Sequence, residues 1–106
     1  MTEPQIVRTG ERAVVAFDGD LTSSTVLHVR PRLGALMQDG VRDLVFDFGK
    51  TVFVDSSGVG MLLSAHNWLS KAGGRLAVVE ASEEVLSLFH AMRLDKRFPV
   101  KGRQAA

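Results

Sequence analysis

The decisive stretch of the sequence is FVDSSGVGMLL, Phe53 to Leu63, in which an apolar segment is followed by a polar Asp-Ser-Ser step and then by a helical pattern. From Gly58 onward, small and apolar residues recur at steps of three and four, which indicates one buried stripe along a helix. The stripe contains Gly58, Met61, Leu62, Ala65, Trp68, Leu69 and Ala72. Two glycines then favour a helix end, because glycine readily adopts the left-handed cap conformation. The pattern predicts an amphipathic helix that follows a loop, with Trp68 in the core.

Short apolar runs on either side of this helix predict β-strands. The clearest runs are residues 13–17, 44–48 and 76–79. Continuous apolar runs of this length are typical of strands that are buried on both faces. Residues 6–7 can pair with the first run through a turn at residues 9–11. Residues 98–100 predict a last, short edge strand, since Pro99 has no amide hydrogen to donate to a ladder.

Two more helical patterns lie between the strands. One begins at Ser82, a good helix cap, and continues to Met92 with two glutamates in its first turn, where the helix dipole favours negative charge. The other covers about residues 23–37. It contains Pro31, which removes one backbone hydrogen bond, so we expect this helix to be kinked or to start late.

The alternation of strands and helices predicts an α/β fold. We expect a mixed β-sheet of four to five strands, with an antiparallel hairpin at its start and helices packed mainly on one face. A chain of 106 residues has the length of one domain. The ordered core is expected at about residues 6–100, with a polar tail at residues 101–106.

Composition excludes several classes of protein. The 13 basic and 12 acidic residues give a net charge of +1, which argues against nucleic acid or an anionic membrane as the main partner. The absence of cysteine removes disulfides and thiolate metal sites and agrees with a reducing compartment. The N-terminal residues lack the pattern of a signal peptide, and no apolar run is long enough for a membrane span. We therefore expect a soluble, cytoplasmic protein.

The side chains that usually carry catalysis do not form a recognisable motif. His28, His66 and His90 fall on three different predicted helices, without the spacing of metal ligands or of a general base. Gly58-Val59-Gly60 is followed neither by a third glycine nor by Lys-Ser/Thr, so no phosphate-binding loop is indicated. We predict that the chain is not an enzyme and needs neither a cofactor nor a metal.

The Asp55-Ser56-Ser57 step allows two interpretations. Aspartate and serine are favoured at helix starts, so the step by itself is explained by capping, with Ser56 as a helix cap. However, a loop between a strand and the following helix also displays side chains at the rim of a sheet. A phosphate on Ser56 would face the helix dipole and add roughly −2 charge beside Asp55, and beside Asp20 if the two loops meet.

The sequence resembles the STAS domain, and in particular the single-domain bacterial anti-sigma-factor antagonists. The resemblance covers nearly the whole chain, and the Asp-Ser-Ser-Gly segment carries most of its specificity. The other matching segments are residues 17–21, 44–48, 73–79 and 88–94. One position departs from the family pattern, because Thr22 stands where an aspartate is usual.

This resemblance implies a partner-switching role. In the family, the serine after the aspartate accepts a phosphate, which maps to Ser56. The unmodified protein would bind an anti-sigma factor that is also a serine kinase, and so release a sigma factor. Phosphorylation would end this binding, and a serine phosphatase would restore it. The partner-binding residues implied are Asp20, Thr22, Asp55, Ser56, Ser57 and Gly58.

Two other functions stay open from the sequence. A STAS scaffold in a signalling or lipid-transport assembly would bind its partner through the same rim without phosphate turnover. An enzyme acting on a small molecule or nucleotide is the weakest alternative, because no general base accompanies the serines. The presence of the serine favours the phosphorylated switch over the scaffold.

Overall fold

Strands and helices alternate along residues 3–103, the part of the chain that the computed structural model describes. In chain order the elements are β1 (Gln5–Thr9), β2 (Arg12–Ala16), α1 (Ser23–Gln38), β3 (Asp43–Asp47), α2 (Ser56–Lys71), β4 (Arg75–Ala81), α3 (Glu83–Ala91), a 3-10 turn (Leu94–Lys96) and β5 (Val100–Gly102). The predicted helix after Asp55 corresponds to α2. The two helical patterns on either side of it correspond to α1 and α3.

The strands form one sheet in the order β1-β2-β3-β4-β5. β1 and β2 make an antiparallel hairpin, which turns at Gly10 with a left-handed φ of 62°. β2, β3 and β4 are parallel, because α1 and α2 each carry the chain back across the sheet. β5 adds to β4, also in parallel. The predicted mixed sheet is therefore confirmed.

The hydrophobic core lies on one face of the sheet. Successive strand residues point to opposite faces, and alternate residues of β2, β3 and β4 belong to the cluster that also contains the buried side chains of the helices. These strand residues are Ala13, Val15, Leu44, Phe46, Leu76 and Val78. Val45, on the opposite face of β3, lies outside that cluster. The helices thus cover one face, as predicted.

An aromatic cluster fixes the carboxyl ends of β2 and β3, from which the loops of the functional site depart. Phe17 lies 5.9 Å from both Phe46 and Phe48, measured between ring centroids, and Phe48 meets Phe89 of α3 edge-on at 6.1 Å. Such pairs add stability beyond the area that they bury. The cluster ties α3 to the end of β3.

Helix α1 runs through Pro31 from Ser23 to Gln38 as one helix. The amide that proline lacks would have bonded the carbonyl of Leu27, a residue on the solvent side of α1 with a 77% exposed side chain. Water can satisfy that carbonyl, which explains why proline is tolerated here. None of the helices within residues 3–103 is both long and apolar enough to cross a membrane.

The end of the chain differs from the prediction. The last strand is Val100–Gly102, not residues 98–100, and Arg103 continues the pairing by donating its amide to the Ala81 carbonyl at 3.0 Å. The prediction of a polar tail at 101–106 is therefore wrong for residues 101–103, while residues 104–106 lie outside the described part. Edge strands pair through backbone atoms, so polar side chains do not prevent the pairing.

The prediction that Trp68 lies in the core is wrong, because its side chain is 40% exposed. The guanidinium of Arg42 lies 5.1 Å from the centre of its ring. A cation–π contact of this kind accommodates an aromatic ring at the surface. The helical stripe correctly gave the direction of the buried face, but Trp68 lies at its margin.

Helix α2 packs closely against the rest of the fold at Gly58. A Cβ atom there would lie 2.8 Å from the Leu21 carbonyl oxygen and 2.9 Å from Val54 Cγ1, whereas a Cβ at Gly60 would meet nothing within 4 Å. The close approach brings the helix start against the loop after β2. Glycine is needed at Gly58 for space rather than for backbone freedom.

We predict opposite effects for two substitutions in this helix. Gly58→Ala should lower the free energy of unfolding by about 1–3 kcal/mol through overpacking. Gly60→Ala should raise it by about 0.5–1 kcal/mol, because alanine favours the helix and has room. Urea denaturation of both variants checks this pair, and equal effects would contradict the close packing of Gly58.

Candidate functional site

Two loops meet at the carboxyl edge of the parallel strands. One loop connects β2 to α1 and contains Leu21, and the other connects β3 to α2 and contains Val54. Leu21 donates its amide to the Phe53 carbonyl at 3.0 Å and accepts the Asp55 amide at 3.1 Å, so that Leu21 and Val54 form a parallel bridge. The sequence interpretation allowed for these loops meeting, and in the structure they do.

The carboxylate of Asp55 holds the starts of two helices. Its Oδ1 accepts the Gly58 amide of α2 at 3.0 Å, and its Oδ2 accepts the Ser23 amide of α1 at 3.0 Å. Each helix start has unpaired amides and a partial positive charge, and one negative group serves both. Asp55 is thus a local cap and a long-range contact at once.

The predicted role of Ser56 as a helix cap is wrong. Asp55 occupies the cap position and Ser56 is the first residue of α2. Thr22, which could cap α1, stands at the cap position but makes no side-chain cap bond. Its hydroxyl lies 3.3 Å from that of Ser24. Aspartate reaches both helices because it carries two separate acceptor oxygens, whereas a serine or threonine side chain carries one.

Ser56 is left with an exposed side chain. Among the described residues, no hydrogen bond of the Ser56 hydroxyl is found, and Ser57 beside it is half-buried. The amides of Ser24 and Thr25, near the start of α1, likewise have no acceptor in residues 3–103. An exposed hydroxyl therefore lies beside Asp55, with unpaired amides at the start of the neighbouring helix.

Asp20 organises the backbone of the second loop. Its Oδ1 accepts the amides of both Val52 and Phe53 at 3.1 Å, while its own carbonyl accepts the Thr25 hydroxyl at 3.0 Å. Val52 and Phe53 thereby present side chains that are 52% and 54% exposed. Two apolar side chains on a fixed backbone are the kind of feature that a protein partner contacts.

Thr51 joins the same two loops from within the fold. Its side chain is fully buried, and its hydroxyl donates to the Gly19 carbonyl at 2.6 Å. The sequence interpretation missed Thr51, Val52 and Phe53. Nothing in a local pattern shows that a threonine reaches a loop 32 residues earlier, or that an apolar pair before a polar step is exposed.

The acidic side chains of the site bind backbone amides. Within residues 3–103, no three histidine, aspartate or glutamate side chains come together in a group that could hold one. The carboxylates of Asp20 and Asp55 accept backbone amides instead. Their arrangement stabilises loops and helix ends.

Comparison with known proteins agrees with this architecture. The family model of the STAS domain matches residues 3–105. The chain belongs to the STAS domain family. This STAS domain is similar to solved structures of anti-sigma factor antagonists, including one from Mycobacterium paratuberculosis with 26% identity and a TM-score of 0.80, covering 92% of this chain and 83% of that one.

SpoIIAA, another such antagonist, is similar in both of its forms. The phosphorylated form, from Bacillus, is 25% identical with a TM-score of 0.75 and covers 92% of this chain and 89% of that one. The unphosphorylated form is 24% identical with a TM-score of 0.74 and covers 96% and 89%. The STAS domain described here therefore shares its fold with an antagonist that exists with and without phosphate.

We predict that Asp55 contributes more to stability than a cap of one helix. Asp55→Ala should lower the free energy of unfolding by about 2 kcal/mol, the sum of two caps of about 1 kcal/mol each. Ser82→Ala is the matched control, because among residues 3–103 the Ser82 hydroxyl accepts one amide, that of Val85 at the start of α3. This substitution should cost about 1 kcal/mol.

Ser56→Ala should change the same quantity by no more than about 0.5 kcal/mol, as is usual for an exposed residue outside a cap. Thermal or urea denaturation measures all three variants. A loss at Asp55 no larger than that at Ser82 would contradict the double cap.

Proposed function

We propose that this STAS domain is an anti-sigma factor antagonist regulated by phosphorylation of Ser56. Its unphosphorylated form binds an anti-sigma factor that is also a serine kinase, and this releases a sigma factor. Phosphorylation of Ser56 ends the binding, and a serine phosphatase reverses it. The observation that supports this best is the exposed hydroxyl of Ser56, which has no hydrogen bond within residues 3–103 and follows a carboxylate that holds two helices.

The site supports a switch that leaves the fold intact. Within residues 3–103 the Ser56 hydroxyl has no hydrogen bond to lose, whereas Asp55 carries bonds at both helix starts. A phosphate adds roughly −2 charge at the surface beside Asp55. The positive ends of α1 and α2 offset part of that charge. The remaining charge weakens partner binding, because it loses water and meets the partner's own charges when the surfaces come together.

We define the switch surface as the exposed or half-buried residues around Ser56: Asp20, Thr22, Val52, Phe53, Asp55 and Ser57. Val52 and Phe53 supply apolar area, and the other members are polar. This resembles the usual division of protein interfaces into an apolar centre and a polar rim. Gly58 contributes indirectly, because its lack of a side chain lets α2 approach Leu21.

Thr22 fits this proposal although family members usually have an aspartate there. The start of α1 does not depend on a carboxylate at Thr22, because Asp55 already caps it through the Ser23 amide. The Thr22 side chain is half-buried and remains free to contact the partner. A kinase partner and its ATP place the proposed cycle in the cytoplasm of a bacterium. The domain itself is the substrate of the cycle rather than an enzyme.

We predict that phosphorylation occurs at Ser56 alone. Incubation with ATP and the anti-sigma factor kinase of the same cell should add one phosphate, located by mass spectrometry. Ser56→Ala should abolish the modification and Ser57→Ala should not, because the Ser57 side chain is half-buried. Ser56→Asp should weaken kinase binding at least about tenfold, which corresponds to roughly 1.4 kcal/mol. The scaffold function would be favoured if the wild type gains no phosphate and Ser56→Asp binds the partner as tightly as the wild type does.

Phe53 should be an energetic centre of the interface. Phe53→Ala should weaken binding of the anti-sigma factor by about thirtyfold or more, since truncation of central aromatic residues typically costs 2 kcal/mol or more. Met92→Ala is the control, because Met92 is 48% exposed but follows α3, away from the switch surface. Calorimetric titration of both variants tests this. If Phe53→Ala binds the anti-sigma factor as tightly as Met92→Ala does, Phe53 lies outside the interface.

A further inference from the structure

Arg103 connects the end of β5 to the loop that carries the switch surface. Its Nε donates to the Glu80 carbonyl at 3.1 Å, and its Nη2 donates to the carbonyls of Phe48 at 3.1 Å and Thr51 at 3.2 Å. One guanidinium therefore binds three backbone carbonyls, two in the β3–α2 loop and one near the end of β4. A charged donor makes each bond stronger than a neutral one would be.

The backbone is shaped to bring these carbonyls together. The pairing of β4 with β5 shifts between Val78 and Ala81, and Glu80 within this irregularity has a left-handed φ of 61°. After β3 the chain turns back at Phe48, whose carbonyl also accepts the Thr51 amide at 3.0 Å. A planar guanidinium with several fixed donors suits such a group of acceptors, whereas an ammonium group has no comparable span.

The contacts continue from Arg103 to the switch surface. Thr51 accepts from Arg103 through its carbonyl and donates through its hydroxyl to Gly19. The next two amides, those of Val52 and Phe53, donate to Asp20. The β3–α2 loop is therefore fastened from two directions, by the β2–α1 loop and by Arg103 after β5.

We infer that Arg103 is a positioning residue for the switch surface. It holds the turn at Phe48–Thr51, so that Val52 and Phe53 are presented in one conformation before a partner binds. Binding to a fixed loop avoids the cost of ordering it at the interface. The effect on the loop follows from the structure alone, while the effect on kinase recognition rests on the proposed function.

Three variants test this inference. Arg103→Met keeps an unbranched side chain but removes every donor, Arg103→Lys keeps a charged donor, and Lys101→Met is the control on β5. The Lys101 side chain is exposed and has no hydrogen bond or ion pair within residues 3–103. Amide hydrogen exchange, measured by NMR on the free protein, reports how well the loop is held in place. Steady-state phosphorylation kinetics report how well the kinase recognises the surface.

In Arg103→Met, exchange at the Thr51, Val52 and Phe53 amides should rise about tenfold, as expected when hydrogen bonds that hold a loop are lost. The α1 amides of Arg103→Met should keep their protection. Arg103→Lys should restore part of the protection of the loop amides, and Lys101→Met should exchange like the wild type. For the kinase, KM for Arg103→Met should rise about fivefold with kcat nearly unchanged, because a misplaced surface affects recognition.

Two results would overturn the inference. One is loop exchange in Arg103→Met equal to that in Lys101→Met. The other is an equal rise over the whole sheet, which would show a contribution to general stability. Faster exchange limited to the loop in a protein that no kinase modifies would refute the proposed function and leave the positioning role of Arg103 standing.

Discussion

The carboxylate of Asp55 is the contact on which the arrangement of the site depends. Parallel strands place the β2–α1 and β3–α2 loops at one edge of the sheet, but they do not fix the loops relative to each other. Asp55 does so by accepting one amide from each helix start. One is the Gly58 amide of α2, and the other is the Ser23 amide of α1, which lies 32 residues before Asp55 in the chain. The Leu21–Val54 bridge adds backbone pairing beside it. Two helices and two loops thus share one anchor.

This arrangement separates the residue that holds the fold from the residue that is free to change. Asp55 and Ser56 are neighbours in sequence, yet the first is committed to two helices and the second has an exposed hydroxyl. Asp20, Thr51 and Arg103 extend the same framework around the loop. A modification at Ser56 can therefore alter the charge of the surface while the backbone beneath it stays in place, which is the physical basis of the proposed switch.

The sequence predicted those features that depend on local patterns. The strands in the middle of the sheet and helices α2 and α3 follow from apolar periodicity and caps. The Asp-Ser-Ser step lies between a strand and a helix, as the sequence indicated. Pro31 suggested a kink in α1 or a late start. However, the backbone hydrogen bond that proline removes lies on the solvent side, and α1 is continuous from Ser23 to Gln38. Trp68 was assigned to the core because periodicity does not distinguish the centre of a buried stripe from its margin.

Contacts between distant segments could not be predicted in the same way. Two sets of contacts depend on how separate segments fold together. They are the bond from Asp55 to the second helix and the bonds from Arg103 to two loop carbonyls and one strand carbonyl. Polar residues at 101–103 suggested a tail, although strand pairing there uses the backbone. Ser56 was expected to cap α2, but Asp55 takes that position, and its two acceptor oxygens serve two helix starts.

The most direct test compares the amides of Ser23 and Gly58 in chains with serine and with phosphoserine at position 56. Their hydrogen exchange reports whether Asp55 still accepts both amides after modification. If the switch acts at the surface alone, both amides keep their protection while binding to the anti-sigma factor is lost. Loss of protection at either amide would show that the phosphate displaces Asp55 from its helices, and it would contradict a switch that acts at the surface alone.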